Sequence, residues 1–204
     1  QVRATLSTTD TSKTPTIDKI NIQYSPAADT TPPSVPTQPA TFGKPTIGAA
    51  RNGSLTDYKR VSKFTLSQTT DAAKLVEYIE PHPDVSGTEL VKGIIYAADG
   101  TGGDPGTLLG TTQEVQITGS SSTDWYDLIF ASPIHLTPGT YWLGDIRGGQ
   151  QNLAWHAYDT VSDAFRYNAD SYADGASAAF GSATTHDLEM SLYAVGLNVT
   201  AKED

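Results

Sequence analysis

From residue 41 to residue 195 apolar and polar side chains alternate in short runs. The clearest is 188–193, where Leu188, Met190 and Leu192 interleave with Glu189, Ser191 and Tyr193; in 125–130, Tyr126, Leu128 and Phe130 interleave with Trp125, Asp127 and Ile129. A period of two sends successive side chains to opposite faces, so each run predicts a strand with one face in a core and one toward water. Runs of this kind predict strands at 59–66, 73–79, 90–97, 114–118, 125–130, 139–147, 152–158, 164–168 and 188–195, the short regular spacing of a sandwich or barrel. No window carries a sustained 3.6-residue period, and the alanine-rich stretch 172–180 is too broken by Gly, Asp and Ser to predict a helix. The predicted fold class is all-β, a two-sheet antiparallel sandwich of jelly-roll-like form. Asp104-Pro105-Gly106 and Pro138-Gly139 are turn sequences, the proline fixing φ and the glycine accepting φ > 0; both are predicted hairpin tips, with Leu108, Leu109, Leu136, Tyr141 and Leu143 as core beside them.

The pattern also divides the chain. Residues 25–39 read SPAADTTPPSVPTQP, and five prolines in this stretch favour extended backbone without amide donors, which predicts a linker over 25–40. Before it, residues 1–24 predict a hairpin: Val2, Ala4 and Leu6 alternate in one strand, Ile20, Ile22 and Tyr24 in the other. Two strands cannot bury an apolar stripe between them, so the expected partner is this chain's own sandwich, a second copy in a homo-oligomer, or an upstream domain to which the hairpin is the tail. The sandwich module is expected over 41–197, with a polar tail at 198–204.

Composition narrows the function classes. The chain of 204 residues carries 13 Lys+Arg against 23 Asp+Glu, a formal charge of -10, which disfavours nucleic acid and anionic membranes as partners. No apolar run approaches the ~20 residues that span a bilayer, and no leader precedes Gln1, so the expectation is a soluble piece processed or excised from something longer. With no cysteine, disulfides, thiol catalysis and thiolate metal sites are excluded. The Thr-, Ser- and Gly-rich acidic composition points to an extracellular or cell-surface location.

Three phrases stand in fixed order: KFTLS at 63–67, IIYAADGTGGDPGTLLGTT at 94–112, and WYDLIFASPIHLTPGTYWLGDI at 125–146. Together they resemble a bacterial secreted and surface β-sandwich module, close to choice-of-anchor domains and to the carbohydrate-binding jelly rolls attached to polysaccharide-degrading enzymes and adhesins. Residues 1–24 separately resemble the final hairpin of another sandwich domain found in multidomain surface proteins and phage tails. The resemblance implies a fold and a location more than a ligand.

Catalytic motifs are missing: His82, His135, His156 and His186 fall in no zinc or triad spacing, and no Gly-x-Ser-x-Gly elbow occurs, so the chain is read as a non-enzyme. The loop DGTGGD offers Asp99 and Asp104 as hard oxygen ligands suited to Ca²⁺, against the simpler reading of a solvated turn, and no other cofactor is expected. Aromatic and amide side chains concentrate after residue 141. Sugar rings present apolar faces and a girdle of hydroxyls, so Trp142, Trp155, Tyr158 and Tyr167 beside Arg147 and Asn152 are the candidate ligand-binding residues for a polysaccharide or surface glycan. The competing reading places Trp142 and Trp155 in the core, as large aromatics on strands commonly are. The expected function is a non-catalytic surface-attachment module binding carbohydrate. The alternative is a structural virion protein, a phage tail or fibre component, or a filament subunit assembling through residues 1–24.

Overall fold

The computed structural model describes residues 41–197 together with Thr9, Asp10 and Ser12; the predicted hairpin at 1–24, the linker before residue 41 and the tail at 198–204 lie outside the described residues, those three apart. The chain divides into two units, Gln1–Val35 and Pro36–Asp204. In the first, Ser12 donates to Asp10 Oδ1 through both its amide and its hydroxyl, at 2.9 and 2.6 Å.

The second unit is an all-β sandwich of two seven-stranded antiparallel sheets. The first sheet contains β1 (Thr41–Gly43), β2 (Ala50–Asn52), β4 (Thr70–Pro81), β8 (Asp124–Leu136), β10 (Ala154–Asp159), β13 (Glu189–Met190) and β14 (Leu192–Gly196). The second contains β3 (Tyr58–Leu66), β5 (Thr88–Ala97), β6 (Leu108–Thr111), β7 (Val115–Thr118), β9 (Gly139–Gly149), β11 (Phe165–Ala169) and β12 (Thr184–His186). Each strand predicted within 41–195 is present, the run at 188–195 as two strands, β13 and β14, that break at Ser191. The runs at 59–66, 73–79 and 125–130 fall inside longer strands, and the short strands β1, β2, β6 and β12 escaped a pattern that needs several alternating residues to show.

Register explains the core. Leu75 and Ile79 of β4, Leu128 of β8 and Leu192 of β14 meet Val91 and Ile95 of β5, Leu143 of β9 and Phe64 of β3 in one buried cluster between the sheets. Leu188, Met190 and Leu192 all point inward as the period of two requires. Ser191 is buried with them because its hydroxyl accepts the Gly48 amide at 2.8 Å. Strand β8 runs on through Pro133, which an edge strand tolerates because only one side needs amide donors; β8 pairs with β4 alone. Asp104-Pro105-Gly106 does sit in a hairpin connection, between β5 and β6. Pro138-Gly139 does not: β8 and β9 belong to different sheets, so this turn carries the chain across the sandwich.

A second cluster lies on the outer face of the second sheet. Val61, Ile94, Tyr96, Trp142 and Ile146 project there and are covered by Tyr172 and Phe180 of the irregular stretch that follows β11. That stretch is pinned by backbone bonds, Leu108 N–H to the Ala178 carbonyl and Phe180 N–H to the Gly106 carbonyl, each at 2.8 Å. Gly148 makes room, since a Cβ there would lie 2.5 Å from the Tyr172 ring. Strands β3, β5 and β9 are therefore buried on both faces.

Adjacent residues of β8 test the parity. Leu128→Ala should lower stability by about 2–5 kcal/mol through a core cavity, whereas Ile129→Thr, at a side chain 50% exposed, should stay within about 0.5 kcal/mol of the parent. Thermal or urea unfolding of the two variants reads the contrast, and comparable losses would contradict the assigned faces.

Candidate functional site

At one end of the sandwich the layer between the sheets turns from apolar to ionic. Inward positions of four strands supply Glu77 (β4), Glu89 (β5), Arg60 (β3), and Asp145 and Arg147 (β9), all buried. The Arg147 guanidinium is the hub. Its Nη2 donates to Glu77 Oε1 of the opposite sheet at 2.5 Å, its Nε to Asp145 Oδ2 at 2.8 Å, and its Nη1 to the Ala154 carbonyl and to Glu89 Oε1, the latter at 3.4 Å. Glu89 in turn accepts the Leu153 and Ala154 amides at 3.0 and 2.8 Å and the Ser54 hydroxyl. Arg60 Nε donates to Asp145 Oδ1 at 3.1 Å; its Nη2, 3.0 Å from that oxygen, makes an ion pair without an aligned hydrogen bond.

Two guanidinium groups face three carboxyl groups, and one proton balances the count. Burial, reinforced by the neighbouring charge of Asp145, pushes Glu77 up to about 8, so it is protonated at neutral pH. Burial would also raise Asp145, but Arg147 and Arg60 outweigh it and hold the group down at about 2. Beside them His156 of β10 is buried; burial first, then the two arginines, push its pKa down to about 3, so the ring is neutral. Neither of its nitrogens has a hydrogen-bond partner.

Arg60 and His156 also belong to a cleft of about 290 Å³ that opens between the sheets, lined further by Tyr58, Phe165, Tyr167 and His186 from the second sheet and by Asn52 and Asn152 from the first-sheet side. Pairing puts them together: Arg60 lies opposite Tyr167, Phe165 opposite His186, and Asn52 opposite His156. Tyr167 stands between Tyr58 and His186, with ring centroids 6.2 and 5.2 Å away. Asn152 occupies the left-handed region at φ 59°, which asparagine tolerates better than most residues, and donates its amide to the Ser54 carbonyl at 2.8 Å. Gly53 accommodates it, since a Cβ there would come within 2.6 Å of Asn152 Oδ1.

The predicted binding residues separate on this framework. Tyr167 and Asn152 line the cleft. Arg147 does not reach an exposed site: it is fully buried behind the cleft as the hub of the ionic network. Trp142 is likewise withdrawn, on the other face of β9 beneath the stretch that follows β11, where its indole N–H donates to the Gly103 carbonyl at 3.0 Å and Lys63 and Arg166 stack on the ring. Trp155 sits half-buried on the outer face of the first sheet, against His82, and its indole N–H holds the Asn152 carbonyl at 2.9 Å. Tyr158 packs on the core, opposite Met190. Asn52, Tyr58, Arg60 and His186 were not predicted, and His156 and Phe165 belong to the aromatic-rich stretch without having been singled out as binding residues; the signal for Tyr58 and Arg60 was their inward parity with Ser62 and Phe64 on one strand.

The two carboxylates named for Ca²⁺ each have partners within the fold. Asp99 accepts the Thr107 amide and hydroxyl, both at 2.7 Å, while Asp104 pairs with Arg166 Nε at 2.8 Å. Among the described residues no group of three or more His, Cys, Asp or Glu is placed to hold a metal ion. No helix of the described residues is long and apolar enough to cross a membrane. Comparison with protein-family models and with curated proteins finds no match to this chain.

The network makes two predictions. Arg147→Met should cost about 3–5 kcal/mol, because it strands buried carboxyls without their cation. Stability should also follow pH in a defined way. Glu77, raised in the folded state, stabilises fully below its ordinary 4.5 and loses that contribution as pH rises toward 8. His156, depressed in the folded state, stabilises above its ordinary 6.5 and loses that contribution as pH falls toward 3. The two slopes cancel between 4.5 and 6.5, so unfolding free energy should plateau there and decline on both sides. Glu77→Gln, whose side-chain oxygen still accepts from Arg147 and which carries no titrating proton, should abolish the decline above 6.5; denaturant titrations across this range check both statements.

Proposed function

We propose that this sandwich is a non-catalytic carbohydrate-binding module that attaches a larger assembly to a glycan-bearing surface outside the cell, and that the cleft between the sheets receives the sugar. One observation carries the reading: three aromatic rings, Tyr58, Phe165 and Tyr167, share an open cleft with the side chains of Asn52, Asn152, Arg60 and His156. Ring faces match the C–H faces of a pyranose, and the amides and nitrogen groups match its hydroxyls. The volume of about 290 Å³ suits one or two sugar units. Binding is favoured over hydrolysis because no carboxylate is among the lining residues, and glycoside cleavage ordinarily uses a pair of them. The resemblance of residues 63–146 to secreted sandwich modules leads to the same class by a separate route.

A glycan array probed with the whole chain should show saturable binding. Tyr167→Ala should weaken it roughly tenfold or more, as truncating a central aromatic contact does. Trp125→Ala, on the outer face of the first sheet where the ring packs edge-on against Tyr78 and Tyr193, should leave affinity unchanged. A blank array, or equal binding by the Tyr167 variant, would refute the proposal.

A further inference from the structure

We infer that the cleft selects an acidic sugar, whose carboxylate is received at the floor by Arg60 and His156. The inference rests on the carbohydrate reading and names its ligand class. It starts from a contrast of charge. The chain carries a formal -10, yet the residues lining this cleft include one arginine, two histidines and neither aspartate nor glutamate. An acidic protein that keeps carboxylates out of one concavity and lines it with a guanidinium and two imidazoles offers an anion nitrogen groups there in place of repulsion.

The donors are built in rather than scattered over a surface. Arg60 is 5% exposed and His156 1%. Arg60 is held by Asp145 from behind, through Nε at 3.1 Å, while its Nη2 lacks an aligned acceptor. His156 faces inward from β10, opposite Ile79 and Asn52, and both ring nitrogens are without hydrogen bonds. A buried imidazole with two idle nitrogens is a costly arrangement unless something polar meets it. A carboxylate meets it with two oxygens, one for a guanidinium N–H and one for the imidazole N–H, and leaves its sugar ring at the height of Tyr58 and Tyr167. The planar fork of arginine suits a planar carboxylate better than a tetrahedral sulfate. Asn52, Asn152 and the exposed His186 then lie at the level of the ring hydroxyls.

The first arm of the test needs no variant. Oligogalacturonate and glucuronate-containing oligosaccharides are titrated into the whole chain by calorimetry, each beside its methyl ester, which removes the charge and leaves the ring unchanged. The expected result is that the acid form binds roughly tenfold to a hundredfold tighter, the range of hydrogen bonds to charged groups, and that added salt narrows the gap. Equal binding of acid, ester and neutral sugars overturns the acidic specificity while leaving carbohydrate binding intact. A sulfated sugar bound as tightly as the uronate overturns the carboxylate assignment, and no binding by any sugar, charged or neutral, overturns both readings. Arg60→Lys keeps a cation for Asp145 but loses the fork, and should erase most of the acid-over-ester preference; an undiminished preference places the selecting group elsewhere.

Discussion

One guanidinium joins the two halves of this sandwich. Arg147 belongs to the second sheet, and its Nη2 reaches across to Glu77 of the first at 2.5 Å. Beside it Glu89, also of the second sheet, accepts the amides at which the chain enters the first sheet through β10. Apolar packing elsewhere in the core holds the sheets together without direction, because dispersion and the hydrophobic effect tolerate sliding by fractions of a residue. The ionic cluster does not tolerate it: a shift would leave a buried charge or amide unpaired, at several kcal/mol. Burying five ionisable groups is supportable only at near-zero net charge, which the proton on Glu77 supplies.

The cleft follows from that constraint. Because Glu89 fixes the start of β10, it fixes the inward face of His156 two residues on, and Asn152 in the turn before it. Because Asp145 is shared between Arg147 and Arg60, the Arg60 side chain is held from the network side while the residue also lines the cleft. The outer cover supplied by Tyr172 and Phe180 stiffens the same strands from behind. The polar groups of the cleft thus rest on strands and buried partners, and ligand contact asks for little ordering of side chains beyond the exposed Asn52, Asn152 and His186.

Period-two alternation made the sandwich legible, and it did so strand by strand: 125–130 and 188–193 point as their patterns require. It could say which residues share a face, but not what covers that face. Trp142 has outward parity and would be a platform if the second sheet met water; it is core because a stretch without periodicity folds over it. Arg147 reads as a surface cation for the same reason, since a charged residue at inward parity becomes interpretable only when Glu77, seventy positions away, is seen opposite it. Half of the cleft was hidden likewise. Tyr167 lies in the aromatic-rich stretch, but its partners Tyr58 and Arg60 come from a strand more than a hundred residues earlier, joined to it by antiparallel register that no local pattern encodes.

A buried ionic cluster is a weak source of stability, and well-packed apolar side chains of similar volume would hold two sheets together at least as firmly. Arg60 and His156 would gain most from such a replacement, since the structure leaves polar atoms of both without hydrogen bonds. Those same two residues stand where the ionic layer meets the aromatic cleft. An interior that is ionic only at the end where it opens, and apolar elsewhere, is what results when the inter-sheet layer does two jobs: the apolar part holds the sandwich closed, and the ionic part sets the register of the sheets while carrying charge to the floor of a binding site.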